Sequence, residues 1–133
     1  MSGSCCVEPG AKQTHEPVGN EVLIDGFNTY KTGDGNSALV IFTDIFGFSF
    51  INTRMLADQF VQSTGATVLV PDFFNGDPMN PNESNLFEKL PAWREKHPVE
   101  EACQMADRFI ASIEDNYQAI QVNRSNFWVH SKH

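Results

Sequence analysis

The sequence predicts an α/β fold with a mostly parallel sheet flanked by helices. Two short runs, residues 38–43 and 66–70, are continuously apolar, which is typical of strands buried on both faces. Between them, residues 52–64 carry apolar side chains at helical spacing. A strand, a helix and a second strand in this order predict a parallel pair joined by a right-handed crossover.

The other segments extend this pattern. Short strands are predicted at residues 21–25, 27–31 and 119–122, and further helices at residues 86–93 and 98–116. Asn52 is expected to cap the helix between the buried strands, and Pro98 to open the last helix. The expected apolar side of the helix over residues 52–64 consists of Met55, Leu56, Phe60 and Ser63.

Composition and charge limit the classes of protein to which the chain can belong. A chain of 133 residues with 41% apolar and 20% charged residues fits one globular domain. The net charge of -8 argues against a nucleic-acid partner, because phosphate contacts need a basic face. No apolar run is long enough to span a bilayer, so no membrane association is expected.

The cysteines and histidines predict neither a disulfide framework nor a metal site. The first residues resemble no signal peptide, so we expect a cytoplasmic protein with reduced thiols. Cys5, Cys6 and His15 lack a fourth ligand, and His130 and His133 are only a pair, so we expect no metal and no cofactor. Cys103 lies in the apolar stripe of the last helix, where a small core residue is expected rather than a nucleophile. The members of this predicted stripe are Val99, Ala102, Cys103, Ala106, Phe109, Ile110 and Ile113.

The stretch over residues 39–48 is the first candidate for a functional site. Its apolar strand ends at Asp44, turns at Gly47 and leads into a helix. Open α/β sheets bind ligands beyond the carboxyl ends of their strands, where such a turn lies. Residues 33–36 are no phosphate-binding loop, because they lack the Gly-Lys-Ser/Thr ending and precede a strand.

Three motifs and an N-terminal Cys-Cys arm resemble the dienelactone hydrolase family of α/β-hydrolases, and its fungal members in particular. The motifs are Thr43-Asp44-Ile45-Phe46-Gly47, the capped helix over residues 52–58, and the Pro-Asp-Phe-Phe-Asn-Gly-Asp-Pro run within residues 68–78. The resemblance covers residues 5–122 and implies the N-terminal half of a three-layer α/β-hydrolase fold. It divides the chain into a flexible arm (1–18), a partial domain (19–122) and a divergent tail (123–133).

The resemblance implies acyl transfer from small esters or lactones to a cysteine. Family members carry that cysteine in a G-x-C-x-G elbow, with an Asp and a His further along the chain. By the resemblance, the Ile45 N–H is one oxyanion donor, Gly47 belongs to its turn, and Asp44 takes the place of an acid beside the nucleophile. The residues implied to form the substrate pocket are Phe46, Phe73 and Phe74.

The chain departs from the family pattern after Val122. Asn123-Arg124-Ser125-Asn126 stands where the elbow is expected, and no G-x-C-x-G occurs anywhere in the sequence. We therefore expect a form truncated before the elbow, which lacks the triad, is inactive alone and can associate through an exposed sheet edge. The alternative is a non-catalytic binding or interaction module; a flavodoxin-like phosphate binder is disfavoured, because no Gly- or Ser/Thr-rich loop follows the first buried strand.

Overall fold

The computed structural model describes residues 16–43 and 45–123, which form one mixed sheet with helices on both faces. The strands in this part of the chain are β1 (Asn20–Ile24), β2 (Phe27–Thr32), β3 (Ala38–Ile41), β4 (Thr67–Pro71) and β5 (Ile120–Asn123). The helices are α1 (Ile51–Thr64), α2 (Leu86–Lys96) and α3 (Val99–Ile113). The predicted α/β class is confirmed.

The sheet has the order β1-β2-β4-β3-β5. Strands β1, β2 and β4 pair antiparallel, whereas β3 pairs parallel with both β4 and β5. The parallel pair that the sequence predicts is therefore β3 and β4. Within the described residues β5 lies at one edge of the sheet, with its inner side paired along β3 from Ala38↔Ile120 to Ile41↔Asn123.

Successive side chains of β4 point to opposite faces of the sheet and contribute to two separate core clusters. Leu69 faces a cluster that α2 and α3 complete with Trp93, Ala102 and Phe109. Val68 and Val70 face the other way, into a smaller cluster closed by α1. All five residues of β4 are buried, as expected for a central strand with helices on both sides.

Helix α1 differs from the prediction in its start and in its buried face. It begins at Ile51, and its cap residue Phe50 makes no side-chain cap bond, so Asn52 does not cap it. The buried residues of α1 are Ala57 and Asp58, whereas Leu56 is 40% exposed. The predicted apolar side is wrong at Leu56 and Ser63, which are both exposed. Phe60, also predicted, is half-buried and packs against the smaller cluster.

A buried polar network joins α1 to the start of the sheet. The Tyr30 hydroxyl donates to Asp58 Oδ1 at 2.9 Å and accepts a hydrogen bond from the Gly19 N–H at 2.8 Å. The Val18 N–H donates to Asp58 Oδ2 at 3.1 Å. Burial raises the pKa of the Tyr30 hydroxyl, so the phenol stays protonated as a donor. These bonds satisfy an almost fully buried carboxylate.

The later elements follow the sequence closely. Helix α3 buries Ala102, Ala106, Phe109 and Ile113, all members of the predicted stripe, and leaves Cys103 half-buried. Pro98 is its cap residue rather than its first helical residue. Asn123, predicted as turn material, is the last residue of β5 because its carbonyl accepts a ladder hydrogen bond from the Phe42 N–H. Among the described residues, none of the helices combines the length and apolar character needed to cross a membrane.

Candidate active site

The loops that follow β3 and β4 meet at the carboxyl edge of the sheet. The strands are parallel neighbours, so both chains leave the sheet on the same side. The Met79 N–H from the second loop donates to the Ile45 carbonyl of the first at 2.8 Å. This bond joins the turn after β3 to the loop after β4 at the position where α/β sheets place their sites.

Gly47 lets the two loops approach each other. Its φ of +84° lies in the left-handed region, which glycine adopts without strain. A Cβ at this position would lie 2.8 Å from the Pro78 Cβ, closer than real contacts allow. The turn therefore depends on glycine for its backbone conformation and for its contact with the second loop.

The loop after β4 is built around the buried carboxylate of Asp72. Its Oδ1 accepts from the Phe74 N–H and its Oδ2 from the Gly76 N–H, both at 2.8 Å. Asn75 and Gly76 both have positive φ, so the chain reverses sharply over the carboxylate. The Asp of the Pro-Asp motif thus stabilises the loop that follows it, because both Asp72 oxygens accept hydrogen bonds from the loop backbone.

Asp77 anchors the far end of this loop to α2. His97 Nε2 lies 2.9 Å and Lys96 Nζ lies 3.3 Å from the Asp77 Oδ2. The Trp93 Nε1–H donates to the Asp77 carbonyl at 2.7 Å. The hydrogen bond with His97, together with the neighbouring Lys96, holds the pKa of the Asp77 carboxyl below its usual value.

The carboxyl end of β5 reaches the same edge. The Asn123 carbonyl accepts a hydrogen bond from the Phe42 N–H at 3.0 Å, and Phe42 lies three residues before Ile45. The chain therefore leaves β5 beside the turn that follows β3.

The residues singled out from the sequence have different surroundings. Asp44 lies outside the described residues. Ile45 is buried and Phe46 is half-buried, with its ring centroid 5.3 Å from that of Phe50. Phe73 and Phe74 are only 2% and 1% exposed.

The two buried phenylalanines pack in different places. Phe73 contacts the Phe27, Phe42 and Phe109 rings in the centre of the core. Phe74 packs against Trp93, with ring centroids 4.9 Å apart, and a Cβ added to Gly47 would lie 3.8 Å from the edge of the Phe74 ring. The structure thus brings Ile45, Gly47 and Phe74 together and leaves Phe73 behind them.

Sequence reasoning missed the residues of the second loop that fix the turn. Pro78, Met79 and the Asp77–His97 pair were not predicted to have a part in the site. The Pro-Asp and Asn-Gly pairs are turn signals that could have indicated the fold of residues 71–76. Asp77 and His97 are 20 residues apart, and no local pattern indicates their pairing. Within the described residues no group of three His, Cys, Asp or Glu side chains could hold a metal.

Comparison with known proteins gives relatives along most of the chain. It is 28% identical over 127 residues to the carboxymethylenebutenolidase homolog of Mus musculus, which is 92% of this chain and 51% of that protein. It is 32% identical over 113 residues to the carboxymethylenebutenolidase homolog of Homo sapiens, covering 82% of this chain and 43% of that protein.

A fungal protein gives a similar result. The chain is 31% identical over 97 residues to the hydrolase tropI of Talaromyces stipitatus, covering 70% of this chain and 37% of that protein. No protein-family model matches the chain. The chain spans about half the length, or less, of the curated relatives it matches. The predicted resemblance is confirmed: over most of its own length, the chain is homologous to proteins named carboxymethylenebutenolidase (dienelactone hydrolase) homolog.

Proposed function

We propose that this chain carries the oxyanion side of a dienelactone hydrolase-type acyl-transfer site, whose substrates are small esters or lactones. The observation that supports this most is the hydrogen bond between the Phe42 N–H and the Asn123 carbonyl. It brings the end of β5, after which the family has its nucleophile, beside the turn of Ile45. A nucleophile and a backbone donor must face one carbonyl group, and this arrangement would allow that.

In this proposal each turn residue has a distinct part. The Ile45 N–H would donate to the oxyanion, and Gly47 would give the turn its shape. Asp44 would lie beside the nucleophile in its resting state. Phe46, the half-buried member of the three phenylalanines, would contact the substrate, while the buried Phe73 and Phe74 would support the pocket wall from behind.

We propose further that the chain has no ester hydrolase activity by itself. The sequence contains no G-x-C-x-G, and Cys103 is half-buried on α3 rather than placed after β5. Without a nucleophile activated by a base, a bound ester would gain only part of the stabilisation that acyl transfer requires. We also propose a cytoplasmic location and a division of the chain into an arm (1–18), a partial domain (19–122) and a tail (123–133).

An esterase assay tests this proposal. We expect the purified chain to hydrolyse p-nitrophenyl acetate no faster than its Asp44→Asn variant or buffer alone. An electrophilic probe for catalytic cysteines should label a full-length relative but not this chain, with a Cys103→Ser variant as the control for background thiol labelling. Turnover that is saturable and falls on Asp44→Asn would contradict the absence of activity.

A second candidate function is association through the outer edge of β5. This strand contains no charged residue and no proline, the features that usually protect an edge strand from pairing. Beside it a groove of about 410 Å³ runs to α1, lined by Leu39, Phe60, Thr64, Gln121, Val122 and Asn123. A strand from another chain could extend the sheet here and cover the apolar part of the groove.

Sedimentation velocity over a range of concentrations tests the second candidate. A Gln121→Lys substitution places a charge on the β5 edge and should shift the chain toward monomer. Gln104→Lys makes the same change at an exposed position on α3 and should leave the association unchanged. A wild-type chain that is monomeric at all concentrations would exclude self-association through β5.

A further inference from the structure

Asp77 connects α2 to the turn that would hold the oxyanion donor, through the residues that follow it in the loop. We infer that the Asp77–His97 pair is a positioning pair, which holds the loop after β4 against residues 45–47 and so fixes the Ile45 backbone. The inference rests on the proposed function only for the role of Ile45. The positioning itself is a property of the chain's conformation and can be tested without activity.

The His97 side chain is held in place by packing at the end of α2. The His97 side chain is 9% exposed and follows the last residue of α2 as its cap. Its ring centroid lies 4.6 Å from that of Trp93 and 5.5 Å from that of Phe74. The two aromatic rings restrict the imidazole, so its Nε2 is presented to Asp77 in a fixed direction.

The connection continues from Asp77 to the turn through two contacts. Pro78 packs against Gly47, where a Cβ would lie 2.8 Å from the Pro78 Cβ. The Met79 N–H donates to the Ile45 carbonyl at 2.8 Å. Asp77 is held on its other side by its bonds with His97, Lys96 and the Trp93 indole. Release of the Asp77 side chain would leave the Trp93 bond to the Asp77 carbonyl, so it would loosen the hold of the loop on the turn without detaching it.

The charges around Asp77 give this connection a pH dependence. His97 at the end of α2 and Lys96 on α2 contact its carboxylate, and Lys89, Glu88 and Glu83 line the same surface depression as Asp77. Lys89 Nζ lies 2.8 Å from Glu83 Oε2, whereas Lys96 Nζ lies 3.3 Å from Asp77 Oδ2. Nε2 can carry a proton in the neutral imidazole as well, so the contact does not need a charged ring.

The direction of this pH dependence follows from the lowered pKa of the Asp77 carboxyl. His97 and Lys96 lower the pKa of Asp77 from its ordinary 3.8, so the folded chain favours the ionised carboxylate. The stabilising contact is complete above pH 3.8 and is lost as the pH falls below that value through the folded pKa. The Met79 N–H should report this loss, because its hydrogen bond to Ile45 depends on the position of the loop.

The test is amide hydrogen exchange of the whole chain, followed by NMR. Asp77→Asn and His97→Met should each lower the protection of the Met79 N–H about tenfold, the effect of one hydrogen bond to a charged group. His97→Gln keeps a donor close to the position of Nε2 and should restore most of the protection. Asp107→Asn, an exposed acid on α3, is the matched charge control and should change nothing.

Two results would overturn the inference. One is an equal loss of protection at Met79 and throughout β4, which would mean a general loss of stability rather than a local one. The other is equal protection in His97→Gln and His97→Met, which would assign the effect to ring packing. In wild type the Met79 N–H chemical shift should also change with a midpoint below pH 3.8, and Asp77→Asn should abolish that change. None of these results depends on esterase activity, so failure here is separate from failure of the proposed function.

Discussion

At the scale of single residues, Gly47 is the clearest case of a position at which the structure requires one residue type. It combines a φ of +84° with a contact that a Cβ would turn into a clash with Pro78. We expect Gly47→Ala to lower the free energy of unfolding by roughly 2–3 kcal/mol, from left-handed strain plus steric overlap. Urea unfolding followed by circular dichroism measures this loss.

Gly26 is the matched control for this substitution. It has the same φ of +84°, but a Cβ added there would meet nothing within 4 Å. Gly26→Ala should therefore show only the backbone strain, roughly 1 kcal/mol after the entropy gain of replacing glycine. Equal losses for both variants would mean that Pro78 yields without cost and that Gly47 is required only for its backbone conformation.

The sequence indicated the residues of the turn but not their surroundings. Asp44, Ile45 and Gly47 were singled out because a buried strand ends in a carboxylate and a glycine, which is a local pattern. The contacts of Gly47 with Pro78 and of Ile45 with Met79 join positions 31 and 34 residues apart. Such contacts follow from the sheet order, and no spacing in the sequence reports them.

At the scale of elements, periodicity predicted the buried face of α3 well and that of α1 only in part. Helix α3 has a strongly apolar face, and its buried residues are those of the predicted stripe. Helix α1 places Arg54 and Asp58 toward the sheet, where Arg54 lies over the Tyr30 ring and donates to the Phe48 carbonyl. A search for apolar spacing selects Leu56 instead, because it does not recognise polar side chains that are buried through hydrogen bonds.

Phe109 carries the contact between α3 and the sheet. It is fully buried and packs edge-to-face against Phe27 and Phe73. We expect Phe109→Ala to destabilise the chain by about 3–5 kcal/mol, through lost burial and the cavity left behind. Thermal unfolding followed by near-ultraviolet circular dichroism would show this.

Phe87 on α2 provides the control for that loss. Its side chain is 84% exposed, so Phe87→Ala should change the stability by no more than about 0.5 kcal/mol. A loss at Phe87 similar to that at Phe109 would mean that α2 is covered in solution by a contact that the described residues do not contain.

At the scale of the whole molecule, the strand order decides what the candidate site can contain. The sequence predicted the α/β class and the parallel pair, because long apolar runs and helical spacing are local signals. It could not place β5 beside β3 rather than elsewhere in the sheet. That placement brings the Asn123 carbonyl within hydrogen-bonding distance of the Phe42 N–H, so the end of β5 lies beside the strand that leads into the Ile45 turn.

The hydrogen bonds of Val18 and Gly19 extend the folded unit to residues before the first strand. Both backbone N–H groups serve the Tyr30–Asp58 pair, and both residues precede β1. A shortened chain that begins before Val18 keeps these donors, whereas one that begins at β1 loses both and leaves a buried carboxylate with fewer partners. A domain boundary drawn at the first strand would therefore cut into the fold, because it removes two main-chain donors of a buried network.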